Sequence, residues 1–254
     1  MYKLSFASIM AVLKRNYMSF KKLFKLSIFP NLFDPFLFLL SIGLGLSNLV
    51  GYINDIAYMH FVAIGLVAAT AMNTSTTEVT VNAFIQIKIE KTYYAIIMTP
   101  VNLQDIVIGQ VIWAAMRSVI FGGMFLIIAT IFGVVQNFMA ILILPILFVV
   151  GFLFGLMGMI FTILSPNRDY INYYRVLLIQ PIYMFSGIFF PIETMPEVIQ
   201  RIAWFSPLYH AANLCRGLVF GDFSNFAINV SFLVSLLLIL FYIPIFLSHK
   251  KLIN

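Results

Sequence analysis

Charge is what this sequence has least of. Only 9% of its 254 residues are Asp, Glu, Lys or Arg, against 62% hydrophobic, whereas a soluble domain carries about 25% charged residues. That shortage excludes a water-coated globule and, with a mean hydropathy of +1.03, makes lipid the solvent for most of the chain. Cysteine is nearly absent: Cys215 alone excludes an internal disulfide and a cysteine metal site, and a free thiol packed in a helix is expected. There is no Gly-x-x-x-x-Gly-Lys-Ser/Thr phosphate loop, so ATP is not held in that manner by this chain. His60, His210 and His249 are scattered, without metal-ligand spacing and without a Ser, His and acid set placed for hydrolysis. Internal repeats, low-complexity linkers and an apolar leader with a small-residue cleavage site are also missing, so no removable signal peptide is expected. The net charge of +6 does not suggest nucleic acid, because the cations sit beside apolar spans and not on a soluble face interleaved with aromatics.

What is present is a series of long charge-free runs. A hydrocarbon core needs about 20 apolar helical residues, and six such spans are expected, at residues 35–53, 57–80, 106–132, 138–164, 173–190 and 226–247. Asn54 and Asp55 make a short turn between the first two. The 50-residue charge-free stretch 118–167 is too long for one helix, so residues 133–137 are its expected turn. Twelve of the 15 Lys and Arg, Lys3, Arg15, Lys250 and Lys251 among them, then fall on one side of the membrane; Arg201 and Arg216 fall on the other, and Arg117 within a span. Positive residues stay in the cytoplasm, so both termini are expected there.

Residues 1–29 read as an amphipathic helix in the cytoplasmic interface. Phe6, Ile9, Met10, Leu13, Tyr17, Phe20 and Phe24 fall within an arc of about 100° on a helical wheel, with Lys3, Lys14, Arg15, Lys21, Lys22 and Lys25 in the neighbouring arc. The cations suit anionic headgroups and the aromatics the acyl boundary. A soluble partner's acidic helix is the other ligand such an arm fits.

Three further segments carry the functional reading. Residues 84–102 are the longest cytoplasmic connection. Pro100 stops a helix there, and Asn102 with Asp105 starts the next, so a short helix over 88–98 is expected. It mixes charge (Lys88, Glu90, Lys91) with apolar bulk (Tyr93, Tyr94, Ile96, Ile97, Met98), as in a helix that docks into a partner's groove; a helix merely lying on lipid is the plainer alternative. Glu78 and Arg117 lie at matching depths, ten residues before Lys88 and twelve after Asp105, some 15–18 Å from the cytoplasmic surface at about 1.5 Å per residue. An isolated charge there is expensive, so they are expected to pair, within one subunit or near a dimer seam, as a structural staple or a gate. Residues 191–221 are too apolar for a water-exposed loop and too broken, by Pro191, Pro196 and Pro207, for a span. One or two short helices folding back into the outer leaflet are expected, as an exit gate or a passive lid. Trp204, Phe205 and Tyr209 suit the headgroup level, and His210 and Arg216 are either structural or placed to meet a phosphate or sugar headgroup.

Several motifs resemble the permease family of ABC-2 type exporters, particularly the branch including nodulation-factor lipo-oligosaccharide and polysaccharide exporters. They are Ala71-Met72-Asn73, residues 84–91, Met98-Thr99-Pro100, Asp105-Ile106 and Gly109, then Phe185-Ser186-Gly187, Phe190-Pro191, Pro196, Pro207-Leu208, His210 and Arg216. The resemblance covers nearly the whole chain. It implies a single all-α transmembrane domain over 1–254 with six transmembrane helices, an N-terminal interfacial helix, a cytoplasmic coupling helix and re-entrant extracytoplasmic helices before the last span. It implies a homodimer bound to two ATP-binding subunits, coupled through Lys88, Glu90, Lys91, Tyr93, Tyr94, Met98, Thr99 and Pro100. No cofactor is then expected on this chain, since ATP and Mg belong to the partner. The resemblance further implies an amphiphile moving out of a bacterial inner membrane, for which Phe190, Pro191, Pro207, His210 and Arg216 are the candidate extracytoplasmic gate read from the residues, a passive lid being the alternative. A secondary transporter or channel without an ATPase is the alternative, although such proteins usually show broken spans in matching positions of two repeated halves, and nothing in the second half answers Gly43 and Gly45; a membrane enzyme would need a polar constellation at one interface, which the sequence lacks.

Overall fold

The computed structural model describes residues 4–53, 55–135 and 137–252, apart from the side chains at 26, 30, 31, 44, 48 and 249–252. Lys3, Asn54, and the side chains of His249, Lys250 and Lys251 therefore lie outside the described residues. The architecture is all-α, save a hairpin of two-residue strands.

Helix α1 (Phe6–Ser41) begins at Ser5, whose hydroxyl caps the first turn, and bends by 83° between Lys25 and Ser27. Its first half, Phe6–Lys25, covers most of the segment read from the sequence as an arm. Its second half runs through Pro35 into a π-helical turn, Ile42–Leu46, and α2 (Ser47–Val50). Strands β1 (Tyr52–Ile53) and β2 (Ile56–Ala57) pair antiparallel, with Asp55 at positive φ in the turn. Helix α3 (Tyr58–Thr77) continues through π-helical turns Glu78–Asn82 and Ile85–Ile89 to α4 (Thr92–Ile97). Helices α5 (Leu103–Ile131) and α6 (Ile143–Leu164) form an antiparallel pair, and Gly133 at φ +74 turns the chain between them where the sequence places the turn. Then come α7 (Arg168–Tyr174), a π-helical turn Arg175–Ile179, α8 (Gln180–Phe185), α9 (Glu197–Trp204), α10 (Pro207–Phe220) and α11 (Phe226–Leu252).

Among the described residues three helical stretches are long and apolar enough to cross a membrane, Leu103–Ile131, Phe138–Leu164 and Phe226–Ser248, or four if the bent α1 counts as one span. The second and fifth expected spans fall on segments that miss that measure, for different reasons. Helix α3 carries a polar C-terminal run whose Thr74, Ser75 and Thr76 are buried; Ser75 donates across to the Gly151 carbonyl of α6, whereas the Thr76 hydroxyl is enclosed without a partner. Residues 168–185 are interrupted by a π-helical turn and end at Phe185, not 190, because Gly187 turns back at φ +70.

Helices α3, α5 and α6 make the core, with α10 and α11 against it. Lipid is as apolar as leucine, so such helices associate through close backbone approach and interhelical hydrogen bonds rather than hydrophobic exclusion. Both devices appear. Ser75 donates to the Gly151 carbonyl, Ser118 to that of Ala71 at 2.7 Å and Thr162 to that of Val79 at 2.7 Å. A Cβ on Gly151 would lie 2.5 Å from the Ser118 hydroxyl. The arm docks in the same manner: at Gly109 a Cβ would come within 2.8 Å of Val12.

A buried charge network and its exposed neighbour

Arm and α5 meet through polar groups that the aromatic arc did not foretell. Val12, Asn16 and Phe20 face inward, whereas Phe6, Met10, Tyr17 and Phe24 are exposed, so the most apolar arc is turned outward. The start of α5 differs likewise. Asn102 is its N-cap residue but makes no side-chain cap; Asp105, fully buried, accepts the Ser5 amide at 3.0 Å and so ties the arm to α5.

Glu78, at the head of a π-helical turn, meets Arg117 of α5 within this chain; the side chains are 4% and 10% exposed. Glu78 also accepts Gln110 at 3.0 Å and Asn82 at 2.5 Å. Asn16 of the arm donates to Gln110 at 2.9 Å, and Arg15 donates to Asn16 at 2.7 Å and to Gln86 at 2.9 Å. The polarity of this chain is forced by its ends, since a guanidinium only donates and a carboxylate only accepts; each amide between must point its oxygen toward Arg15 and its nitrogen toward Glu78. The Arg117 guanidinium lies 5.2 and 5.4 Å from the Phe20 and Phe121 rings, a cation–π setting. A cavity of about 470 Å³ opens beside the network, lined by Arg15, Asn16, Ser19, Glu78, Gln86 and Arg117 among others. Gln110, Asn16, Gln86 and Asn82 escape a reading of charges alone. The available signal is register: Gln110 and Arg117 are seven apart on α5, and Glu78, Asn82 and Gln86 four apart, so each set shares one helix face.

The connection 84–102 departs from the single helix expected over 88–98. A π-helical turn ends at Ile89, Lys91 adopts a left-handed φ of 53°, and α4 covers only Thr92–Ile97. The physical reason is Tyr93. Its ring is 1% exposed, packed among Val12, Ile87, Leu103 and Ile106, and turning it inward requires the break at Lys91. Burial holds its phenol well above the ordinary tyrosine range. Tyr93 thus belongs to the anchor and not to the outer face, where Lys88, Glu90, Lys91, Tyr94, Met98, Thr99 and Pro100 are exposed, Met98 by 87%.

At the hairpin end, Pro191 and Ile192 precede α9, and Ser206 caps α10, whose first residue is the buried Pro207. Helix α10 then packs inward against α3, α6 and α11. His210 is fully buried, its Nε2 2.7 Å from the Trp204 carbonyl and its Nδ1 2.8 Å from the Asn229 amide, with the ring stacked 4.0 Å from Phe232. The carbonyl only accepts, so Nε2 carries a proton. Arg216 donates to the Gly187 carbonyl at 2.7 Å, to Ile188 at 3.2 Å and to Phe61 at 3.3 Å, and lies 3.6 Å from the Phe61 ring centroid. The two are therefore not joined as a headgroup clamp: His210 is committed to protein partners, and Arg216 pins the Gly187 bend. Phe190 is exposed and does not line the cavity of about 410 Å³ that Pro191, Glu193, Asn213 and Arg216 help enclose. Cys215 is buried with no sulfur partner.

Helices this apolar, joined by buried hydrogen bonds that hydrocarbon cannot supply, make a multi-pass integral membrane protein. The chain belongs to the ABC-2 type transporter family, whose profile matches residues 7–220. Similar curated proteins are nodulation protein J of Rhizobium leguminosarum bv. viciae, 32% identical over 246 residues covering 96% of this chain and 95% of the relative, and that of R. leguminosarum bv. trifolii, 35% identical over 94% and 90%. Nodulation protein J of Rhizobium meliloti strain 1021 is 33% identical over 84% and 81%.

Proposed function

We propose that this chain is the membrane-spanning permease subunit of an ATP-driven exporter. It works as a homodimer of six-span subunits with two ATP-binding subunits, and moves an amphiphile such as a lipid-linked saccharide out of a bacterial cytoplasm, both termini remaining inside. ATP and Mg are held by the partner, and this chain performs no hydrolysis. Family membership supports the transport class. The observation that carries the coupling is the exposed ridge from Lys88 to Pro100, charged and apolar together, whose base is keyed by Tyr93 and Gln86 into the arm and α5. A partner that pushes on such a ridge displaces the groups around Glu78 and not a slack loop. Outward of these, Pro191, Pro207 and Arg216 frame the exit gate.

Co-expression with an ATP-binding subunit, followed by purification, subunit stoichiometry and ATPase rate, tests this. A two-plus-two complex is expected, and replacing Lys88, Glu90, Tyr94 and Met98 together by Ser should release the ATPase while the permease stays folded. A chain that purifies stable alone and indifferent to any ATPase overturns the reading in favour of ion-driven flux.

A further inference from the structure

Arg15 is the cation that the network leaves without an anion. Glu78 already accepts from Arg117, Gln110 and Asn82, and among the described residues no carboxylate lies within 4.0 Å of Arg15. Its guanidinium is held by the neutral oxygens of Asn16 and Gln86, and Nη1 is buried without a partner. Removing an uncompensated charge from water is costly, yet Arg15 stays half-buried at the wall of a cavity whose volume of about 470 Å³ falls in the range of small-molecule sites, roughly 300–1,000 Å³. The planar fork of a guanidinium matches phosphate-type oxygens two at a time. Lys14, Lys21 and Lys22 on the same arm are exposed and attract anionic headgroups only diffusely; Glu90 also lines the cavity but is exposed, where water and salt screen it.

We infer that this cavity binds the anionic, phosphate-type headgroup of an amphiphile drawn from the adjoining leaflet, with Arg15 as the anchoring cation. The inference rests on the first half of α1 being an interfacial arm and does not require an ATPase partner. Occupancy would supply the missing anion and fix the arm against α5 and the Gln86 segment, so that the cavity fills where the coupling ridge is anchored.

Trp113 lines the same cavity and is one of two tryptophans, so Trp204→Phe leaves a single reporter. The full chain is reconstituted in phosphatidylcholine vesicles, and quenching of Trp113 by phosphatidylglycerol brominated on its acyl chains is compared with brominated phosphatidylcholine. Phosphatidylglycerol is expected to associate about five-fold more strongly, the contribution of one cation near an anionic surface. Arg15→Gln should abolish that preference, Arg15→Lys should keep most of it, and Lys22→Gln should leave it nearly intact. Equal quenching by the two lipids in the native chain overturns the proposal whatever the variants do, and so does an equal loss in Arg15→Gln and Lys22→Gln. A second arm titrates inorganic phosphate into phosphatidylcholine vesicles. A saturable change in Trp113 emission that Arg15→Gln removes assigns the site to soluble phosphate, whereas a response to phosphatidylglycerol alone assigns it to a lipid headgroup.

Discussion

Two arginines, Arg117 buried and Arg216 partly buried, face opposite problems in the two ends of this molecule. Arg117 is matched by a carboxylate on another segment and by two aromatic rings; Arg216 has no carboxylate within 4.0 Å among the described residues and is held by three backbone carbonyls and one ring. The first arrangement depends on two side chains, and the second on the path of the backbone at Gly187 and Ile188. A charge matched by a charge is released when either partner moves or is neutralised. A charge matched by carbonyls holds a bend in place for as long as the surrounding helices stand. Under the proposed coupling, the arm end would respond to displacement of the 84–102 connection, whereas Arg216 holds the chain at the Gly187 bend before α9.

Neutralising one member of the Glu78–Arg117 pair should have the largest effect. Glu78→Gln leaves a buried guanidinium uncompensated and is expected to destabilise by about 3–5 kcal/mol, read as a lowered thermal unfolding midpoint in detergent. Glu78→Gln with Arg117→Met should recover most of that loss; a double variant no more stable than the single one breaks the comparison at its first term. Arg216→Met should cost about 1.5–3 kcal/mol, the range for charged hydrogen bonds, and should make 187–206 the first segment cut by limited proteolysis, whereas Glu78→Gln should not. Gly109→Val should cost about 1–3 kcal/mol by overpacking against Val12, and amide exchange should show the arm loosened before the core; Gly45→Ala, with nothing within 4 Å of the added Cβ, serves as its control. Arg201→Ala comes last. Its pair with Glu197 spans 3.7 Å and both side chains are more than 80% exposed, so water screening leaves no measurable change in the unfolding midpoint.

Much of this was legible in the residues because lipid imposes simple rules. Charge-free length located α5, α6 and α11, and Gly133 with Asn137 the turn between the first two. Equal depth brought Glu78 and Arg117 to one level. What the residues left hidden concerns direction more than position. The arm's aromatic arc was expected to face the acyl boundary; Phe6, Met10, Tyr17 and Phe24 are exposed, while Phe20 of the same arc turns inward with Val12 and Asn16 to dock on α5. Tyr93 looked like part of an outer surface and is fully enclosed. His210 and Arg216, six residues apart, left open a structural role or a shared headgroup, and only their separate protein partners decide for the structural one. In each case a three-dimensional neighbour decides which side of a helix is inside, and no periodicity in one segment records it.

The sequence by itself determined that lipid is the solvent, where the long helices run, and which two charges share a depth, because hydrophobic length and the expense of a lone charge act on each segment independently. Only the tertiary structure decided that Asn16 and Gln110 complete the Glu78 network, that Lys91 breaks the connection so that Tyr93 can enter the core, and that Arg216 pins the Gly187 bend. Those outcomes depend on hydrogen-bond geometry and packing between segments up to 155 residues apart, which chain order does not specify.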